Sequence, residues 1–455
     1  MLPRALDLGY LLVAAVALPW VLWRRLGGGR PVAAPGARFL GRVSVPPRPP
    51  GSRRIWLHGV SVGEVQLLAT VARELSKQAC DAGFRVDCVV SSSTTTGLDV
   101  AAQRFGADRV FPCPFDFSWA VGRVVRQVDA DLLVLGELEL WPNLLAAAAC
   151  RGLPVAVVNG RMSPRSFRGF CRVRPLAAAM LSQVSLVLAR SQEDADRFTA
   201  LGAAAVVAVG SLKFDGVGGD RQSEPVRRLR QLAGLAAETP VLLAGSTQEP
   251  EEALAVASFL ALRPRHPDLR LILVPRHAER ASGLAGWLSQ RLAAADATGI
   301  RWLRRSQLGE AGGTFDILLV DVTGELASWW GAATVAFVGG SLDGSRGGQN
   351  MLEPAAYGAA VCIGPHTRNF RTEVAELLAA DAVAVVADGA ALTAFVGRCL
   401  ADPGYAAGLG TRARGVVDRN RGGTSLTCER LLELLAGNSL PPVVGRCEKR
   451  DTAAS

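Results

Sequence analysis

Acidic side chains occupy two places where a short apolar run gives way to a turn of small residues. Glu64 ends the sequence SVGE, which follows the apolar residues 55–57, and a helix is expected to begin near it. Glu137 and Glu139 follow the apolar residues 132–135 in the sequence GELELWPN. A carboxylate at a helix N-terminus is favoured by the helix macrodipole and can act as a general base. A plain capping glutamate and a solvated turn would have the same sequences, so the residues alone leave both interpretations open.

The second half of the chain carries residue types that suit a phosphorylated ligand. A glycine-rich loop runs into a helix over residues 339–354, and the backbone N–H groups of such a loop can approach a phosphate closely. Glu353 lies one helical turn after Asn350, where a carboxylate could bind ribose hydroxyls. Arg276 follows another apolar run, and Lys213 offers a point charge to an anion. Each signal alone is also compatible with ordinary loop chemistry.

Regular secondary structure must position these residues, and the apolar pattern predicts which kind. Short apolar runs alternate with helical stretches rich in Ala, Leu and Arg, which is typical of parallel sheets covered by helices on both faces. The expected strands cover residues 55–57, 86–90, 132–135, 155–158 and 186–188, then 241–244, 271–274, 317–320, 335–338 and 360–363. The pattern predicts two doubly wound α/β domains in tandem, with ligands bound in a cleft at the carboxyl ends of their strands.

A polar, glycine-rich segment after Gly216 is the best domain boundary in the sequence. The expected order along the chain is a membrane anchor over residues 1–25, a linker over 26–52, a first domain over 53–216, a linker with a helix over 217–239, a second domain over 240–440 and a flexible tail over 441–455.

The N-terminal segment favours membrane attachment. Sixteen uncharged residues, Leu8–Trp23, precede Arg24 and Arg25. A full membrane span needs about 20 residues, so this stretch is short. Basic residues after an apolar stretch favour a cytoplasmic location for everything downstream. A cleaved signal peptide and a buried helix remain alternatives for the same residues.

Composition narrows the classes of function. Of 455 residues, 49% are hydrophobic, which excludes global disorder. The net charge of +9 suits an anionic membrane surface or phosphorylated ligands. Nucleic-acid binding is not expected, because no basic run is interleaved with aromatic residues. The nine cysteines contain no C-x-x-C sequence, so neither a disulfide framework nor a zinc site is indicated.

Taken together and in order, the motifs resemble those of the 3-deoxy-D-manno-octulosonic acid (Kdo) transferases. The matching sequences between Ile55 and Phe370 include SVGE, E-x-ELWPN, GSLKFD, VPRH-x-ER, GEL, GG-x-N-x-LEP and GPH-x-x-NF. The resemblance implies a GT-B fold with two Rossmann-like domains, the acceptor side first. It also implies an inverting transfer of Kdo from CMP-Kdo to lipid A or its precursor, in lipopolysaccharide inner-core biosynthesis at the inner membrane. No metal and no cofactor other than the donor substrate are expected.

The resemblance also assigns roles to individual residues. Glu64 matches the general base, and Glu137 and Lys213 match residues that stabilise the transition state. The residues that match contacts to CMP are Pro275, Arg276, Thr323, Gly324, Glu325, Asn350, Met351, Leu352 and Glu353.

The chain departs from the family pattern on the donor side. Gln248 stands where the family usually has His, and Pro250 where it has Gly. Gln349 replaces the His of the usual GGHN sequence, and Val322 and Thr323 replace Thr-Met. These departures leave Glu64 in place but put the details of donor binding in doubt.

Two other functions remain compatible with such a chain. A glycosyltransferase of the same fold could use another nucleotide sugar on a membrane lipid, although a UDP-sugar would need a different loop to read its base. A membrane-bound binding protein that has lost catalysis is the alternative that is not an enzyme, and the presence of Glu64 argues against it.

Overall fold

The computed structural model describes residues 6–12, 34–295, 299–309 and 313–437. The described residues form two compact units. The first contains those up to Gly216 together with those from Arg421 onward, and the second covers Val217–Asn420. The division at Gly216 lies where the sequence placed a boundary, whereas the residues from Arg421 were expected in the second domain.

The first unit contains a parallel sheet of seven strands in the order β3-β2-β1-β4-β5-β6-β7. Its strands are β1 (Ser52–His58), β2 (Arg85–Ser92), β3 (Val110–Pro112), β4 (Leu132–Gly136), β5 (Val155–Gly160), β6 (Leu186–Ala189) and β7 (Val206–Ala208). Its helices up to the division are α1 (Pro35–Leu40), α2 (Val62–Asp81), α3 (Thr95–Phe105), α4 (Ser118–Val128), α5 (Pro142–Cys150), α6 (Pro164–Arg172), α7 (Arg174–Leu181) and α8 (Gln192–Ala200).

The strand order of the first unit reverses between β1 and β4. The chain builds outward from β1 through β2 to β3, then returns to place β4 on the other side of β1. All five residues of β4 are buried, as expected of a strand covered on both faces. In doubly wound sheets ligands bind at such a reversal, outside the carboxyl ends of the strands. Glu64 follows β1 and Glu137 follows β4, so both glutamates lie at this point.

The second unit has the same architecture, with the strand order β10-β11-β9-β8-β12-β13-β14. Its strands are β8 (Val241–Thr247), β9 (Arg270–Pro275), β10 (Trp302–Arg304), β11 (Ile317–Leu319), β12 (Val335–Val338), β13 (Ala360–Ile363) and β14 (Ala384–Val385). Its helices are α9 (Glu224–Leu232), α10 (Glu251–Leu262), α11 (Ala281–Ala294), α12 (Leu326–Trp329), α13 (Leu352–Ala356), α14 (Arg371–Ala379), α15 (Gly389–Ala401) and α16 (Pro403–Arg419). Here the order reverses between β8 and β12, where the glycine-rich loop begins.

The last helix, α17 (Gly423–Leu435), belongs to the first unit and not to the second. The carboxylate of Asp215 accepts hydrogen bonds from the backbone N–H groups of Gly422 and Thr424, each at 2.6 Å. The thiol of Cys428 lies 3.5 Å from the backbone oxygen of Val71 in α2. These long-range contacts, which no local pattern encodes, explain why the chain returns to its first domain.

The predicted anchor lies mostly outside the described residues. Residues 6–12 are helical, and residues 13–33 are not described. Within the described part of the chain no helix is both long and apolar enough to cross a membrane. The predicted linker over 26–52 contains helix α1, in which Arg38 is buried and its guanidinium donates to the Cys113 carbonyl at 2.6 Å. The predicted tail over 441–455 also lies outside the described residues.

Candidate active site

Glu64 lies in the first turn of α2, directly beyond β1. Ser61 is the N-cap residue, and its hydroxyl accepts from the Glu64 N–H at 3.3 Å and donates to Glu64 Oε1 at 2.7 Å. Glu64 Oε2 accepts from the Val60 N–H at 2.9 Å. The arrangement is a variant of the capping box, in which a serine and a glutamate satisfy each other's backbone groups. It orients the carboxylate, and each oxygen keeps lone-pair capacity with which it can take a proton.

Two glycines make room for this carboxylate. A Cβ atom on Gly136, the last residue of β4, would lie 3.5 Å from Glu64 Oε2. A Cβ atom on Gly59 would lie 3.1 Å from the Cβ of Glu64. A side chain at Gly59 would crowd Glu64, and one at Gly136 would come into van der Waals contact with its carboxylate, so both small residues leave Glu64 room at the point where the strand order reverses.

Glu137 lies where the charge of Glu64 affects its protonation. Burial raises the pKa of Glu137, and the negative charge of Glu64 raises it further, whereas the positive charges of Lys213, Arg161 and Arg190 oppose both effects. The structure therefore brings Glu64, Glu137 and Lys213 together, although they belong to separate sequence motifs.

Glu139 is a third acid in this environment. Burial and the charges of Glu64 and Glu137 raise the pKa of Glu139 to about 7, although a hydrogen bond from the Trp141 indole at 3.0 Å favours the ionised form. A carboxyl group whose pKa lies near 7 can both give and take a proton near neutral pH.

Backbone strain marks the carboxyl ends of three strands. Glu137, Asn159 and Ser246 adopt positive φ angles of 52°, 52° and 53°, a region that residues other than glycine rarely occupy. Each such residue costs on the order of 1–3 kcal/mol, and such residues cluster at functional sites. Their positions after β4, at the end of β5 and at the end of β8 agree with ligand binding at these strand ends.

Asn159 connects β5 to the turn that carries Lys213. Its side chain is fully buried, and its Oδ1 accepts from the Leu212 N–H at 3.4 Å. Lys213 follows in a 3₁₀ turn, Leu212–Phe214, whose apolar residues are buried. Asn159 thereby helps to hold Lys213 near the two glutamates.

In the second unit, Asn350 and Glu353 form one hydrogen-bonded group. Glu353 Oε1 accepts from Asn350 Nδ2 at 3.1 Å, and Oε2 accepts from the Trp330 indole at 3.1 Å. Burial raises the pKa of Glu353, and the positive charge of Arg276 opposes this. Neutral donors thus fix the carboxylate while leaving it capacity to accept from hydroxyl groups.

The remaining donor-side residues offer mainly backbone or exposed groups. Arg276 is exposed and directly follows the buried Pro275. The backbone N–H of Arg276 donates to the backbone carbonyl of Thr247 at 2.9 Å. Thr323 and Gly324 are exposed. Met351 and Leu352 are fully buried, so only their backbone groups can reach a ligand.

Glu325 is held by the protein itself. The guanidinium of Arg305 donates hydrogen bonds to both carboxylate oxygens of Glu325, at 2.7 and 2.8 Å, and the Trp329 indole donates to one of them at 3.1 Å. A carboxylate engaged by a bidentate arginine and an indole has little capacity left for a nucleotide. In this structure Glu325 shapes the loop rather than presenting a free carboxylate.

The glycine-rich loop differs from its expected role over its first part. The N–H groups of Gly340, Ser341 and Leu342 donate to the carboxylate of Glu251 at 2.8, 3.1 and 3.3 Å. The Gln248 N–H donates to the same carboxylate at 3.0 Å. These amides are therefore occupied by a protein carboxylate and do not form a phosphate site, contrary to the sequence-based expectation for the start of residues 339–354.

Similarity to known proteins agrees with this architecture and places the chain in a family. Residues 37–216 match the family described as 3-deoxy-D-manno-octulosonic-acid transferase (kdotransferase). The 3-deoxy-D-manno-octulosonic acid transferase of Bordetella pertussis is 33% identical over 428 residues, covering 91% of this chain and 95% of the relative. The chain belongs to the Kdo transferase family. The Haemophilus influenzae transferase of the same name is 32% identical, covering 87% of this chain and 89% of its own length.

More distant solved structures share the fold. A UDP-GlcNAc 2-epimerase from Neisseria meningitidis superposes with a TM-score of 0.54 at 13% identity, covering 84% of this chain and all of its own. A glycosyltransferase from Rickettsia africae superposes with a TM-score of 0.53 at 12% identity, covering 85% of this chain and 98% of its own. With two parallel seven-stranded sheets, the chain has the α/β architecture of GT-B glycosyltransferases.

Within this Kdo transferase fold, sequence reasoning missed several residues at the strand ends. Arg190 follows β6, and its charge acts on Glu137. His58 ends β1, is fully buried, and has its pKa lowered to about 4 by burial, so its imidazole is neutral at pH 7. Position after a strand was a usable signal for Arg190, whereas nothing local distinguished His58 or Glu251.

Proposed function

We propose that the chain transfers Kdo from CMP-Kdo to a hydroxyl group of a lipid A precursor (lipid IVA), with inversion at the anomeric carbon, in lipopolysaccharide inner-core biosynthesis. The observation that carries the proposal is 33% identity over 91% of the chain with the 3-deoxy-D-manno-octulosonic acid transferase of Bordetella pertussis. Hydrogen bonds orient the carboxylate of Glu64, and positively charged residues act on the neighbouring Glu137. These groups can supply the general base and the charge stabilisation that such a transfer requires.

In this mechanism Glu64 removes the proton from the attacking lipid hydroxyl as the new glycosidic bond forms. A positioned general base contributes roughly 10²–10⁴ in rate. The hydrogen bonds from Ser61 and Val60 hold the carboxylate ready without reorganisation at the moment of reaction. The rate therefore depends on Glu64 being ionised and correctly aimed.

Glu137 and Lys213 act together on the charge of the transition state. The sugar carbon gains positive character as CMP leaves, and an ionised carboxylate stabilises such a centre. Burial and Glu64 both favour the neutral form of Glu137, whereas the charge of Lys213 favours the ionised form. Lys213 therefore serves to keep Glu137 charged.

The nucleotide is proposed to bind the second unit through Arg276, Asn350 and Glu353. Arg276→Ala is expected to weaken CMP binding by roughly 1.5–3 kcal/mol, the range for a hydrogen bond to a charged group. Glu353→Gln is expected to weaken recognition of the ribose, so that the variant distinguishes CMP from 2′,3′-dideoxy-CMP less well than the wild type does. Calorimetry on both nucleotides measures these effects.

The control for this prediction is Arg265→Ala, which removes the same charge from an exposed turn after α10. That turn lies at the opposite end of the helix from the β8 loop, so CMP affinity should stay at the wild-type value. Unchanged CMP affinity in both Arg276→Ala and Glu353→Gln would mean that the nucleotide binds elsewhere.

We further propose that an N-terminal anchor attaches the protein to the inner membrane, with the catalytic domains on the cytoplasmic side. The helical residues 6–12 support this. Asp7 accepts from the Ser118 N–H at 2.8 Å, which ties the segment to the first unit, while Leu8 and Leu12 are each 69% exposed. Neighbouring aromatic residues are also partly exposed, among them Trp119. Exposed apolar groups of this kind mark surfaces that contact lipid or a partner.

Replacing the exposed leucines tests this attachment without breaking the Asp7 contacts. The double variant Leu8→Glu, Leu12→Glu is expected to float poorly with vesicles of phosphatidylethanolamine and phosphatidylglycerol, because two charges would have to enter the interface. Its activity on detergent-dispersed acceptor should be retained. Leu378→Glu, which changes an exposed leucine of the second unit, is the matched control. Cleavage of the mature chain near residue 25, or undiminished flotation of the double variant, would contradict the proposal.

The main alternative is a glycosyltransferase of the same fold that uses another nucleotide sugar. The two functions separate when purified protein, a lipid A precursor and one donor at a time are incubated together. We expect CMP-Kdo to support transfer and UDP-hexoses to support none. Transfer from a UDP-sugar in place of CMP-Kdo would favour the alternative.

A further inference from the structure

The GPH-x-x-NF motif, to which the proposed mechanism assigns no role, borders a hollow on the second unit. The hollow has a volume of about 290 Å³. Gly344 and Gly347 of the glycine-rich loop form one wall, and Pro365–Arg368 with Arg371 form the other. It therefore joins the loop after β12 to the segment between β13 and α14.

The lining of this hollow is basic. His366, Arg368 and Arg371 contribute to it, and none of the described residues that line it is acidic. The neighbouring Asp343 pairs with Arg346 at 3.2 Å. Arg371 is the first residue of α14, where the helix macrodipole disfavours a positive charge. A cation in this place works against helix stability, and an anionic ligand would account for it.

Hydrogen bonds from one wall and from the adjacent Asn369 fix the shape of the hollow. The guanidinium of Arg368 donates to the carbonyls of Gly344 and Ser345 at 2.8 and 2.5 Å. The side chain of Asn369 donates to the carbonyls of Arg346 and Gly348 at 3.0 and 3.2 Å. These hydrogen bonds hold the glycine-rich loop in place without a ligand, which lowers the entropic cost of ordering the loop when a ligand binds.

The hollow lies close along the chain to the proposed nucleotide contacts. Gly347 precedes Asn350 by three residues in the same loop, and Asn350 is bonded to Glu353, the proposed ribose contact. In a nucleotide sugar the sugar lies beyond the phosphate, away from the ribose. Kdo is an acid whose carboxylate is attached to the same carbon as the phosphate, so its charge stays close to that phosphate.

We propose that the basic hollow binds the carboxylate of the donor sugar, with Arg371 and His366 as the residues that distinguish an acidic donor from a neutral one. The inference rests on the proposed function, since it takes CMP-Kdo as the donor. A neutral hexose attached to a nucleotide would leave the guanidinium of Arg371 without an anionic partner and would bind correspondingly less well.

The test compares CMP, which lacks the carboxylate, with CMP-Kdo on the full-length protein. Arg371→Gln should weaken CMP-Kdo binding about 10-fold or more, the equivalent of losing one hydrogen bond to a charged group, and should leave CMP affinity within about twofold. Arg371→Lys should retain part of the affinity because it keeps the charge. Arg265→Gln, a charge loss at the far end of α10, should change neither ligand's affinity. The Tm of Arg371→Gln should be equal to or above that of the wild type, since the change removes a cation from a helix N-terminus.

Equal loss of affinity for CMP and CMP-Kdo in Arg371→Gln, or no loss for either ligand, would overturn the inference. A rise in the KM for the lipid acceptor, with donor binding unchanged, would show that the hollow takes a phosphate of the acceptor and would also overturn it. Failure of the wild type to transfer Kdo counts against the proposed function alone, because the binding comparison does not depend on turnover.

Discussion

Glu64→Gln is expected to reduce turnover at least about 10²-fold, because it keeps the shape of the side chain and removes its basicity. The Tm should stay near the wild-type value, since the amide oxygen can still accept from the Val60 N–H while the amide NH2 donates to the Ser61 hydroxyl. CMP affinity should also be unchanged, because the proposed nucleotide contacts lie in the second unit. Steady-state transfer assays, thermal unfolding and calorimetry measure the three quantities.

A purely structural role for Glu64 predicts a different set of results. Loss of a favourable interaction with the helix dipole costs about 0.3–1 kcal/mol of stability and need not affect the reaction. Ser61→Ala provides the comparison, since it removes the cap at a cost of about 1 kcal/mol but leaves the carboxylate in place. If Glu64→Gln retained more than about a tenth of wild-type turnover, when base catalysis should be worth at least ~10²-fold, another residue would be the base. Glu137 and Glu139 would then be tested next.

Glu251→Ala is expected to destabilise the second unit by roughly 3 kcal/mol or more, because each buried N–H left without an acceptor costs about 1–3 kcal/mol. Glu251 is 2% exposed, and its carboxylate accepts from four backbone N–H groups across the point where the strand order reverses. Glu251→Gln should cost less, since one oxygen remains. The change in Tm and in the urea midpoint measures the loss.

The neighbouring Glu252 gives a matched control for this prediction. Its carboxylate is also buried but pairs with a single, partly exposed partner, Arg280, at 2.7 Å. Glu252→Gln should therefore destabilise the protein less than Glu251→Ala does. A loss below about 1 kcal/mol for Glu251→Ala would mean that water replaces the carboxylate without difficulty, and that the loop does not depend on it.

The central strands of both sheets could be predicted because they are buried on both faces and so have continuous apolar sequences. The expected strand over 132–135 lies within β4 (Leu132–Gly136), and that over 335–338 coincides with β12 (Val335–Val338). The short strands at the sheet edges, such as β10 (Trp302–Arg304) and β14 (Ala384–Val385), could not be predicted. Their residues are only partly buried or exposed, so these strands need not have the continuous apolar sequence of a strand covered on both faces.

Positions of functional residues could be predicted where they depend on the end of a strand. Glu64 and Glu137 each follow a recognisable apolar run, and parallel strands bring their carboxyl ends to one edge of the sheet. The partners of these residues could not be predicted, since they are distant in sequence. Glu251 accepts a hydrogen bond from the N–H of Gly340, which lies 89 residues later in the chain. Arg305 donates to Glu325, which lies 20 residues later. Such pairs depend on the completed fold.

The measurement that tests the proposed function most directly is the mass of the lipid product. Purified full-length protein is incubated with CMP-Kdo and a lipid A precursor, and the lipid is analysed by mass spectrometry while released CMP is quantified. We expect the lipid to gain the mass of one or more Kdo residues, with one CMP released for each, and Glu64→Gln to form almost no product. Release of CMP without any gain in lipid mass, or product formation by Glu64→Gln at the wild-type rate, would contradict this expectation.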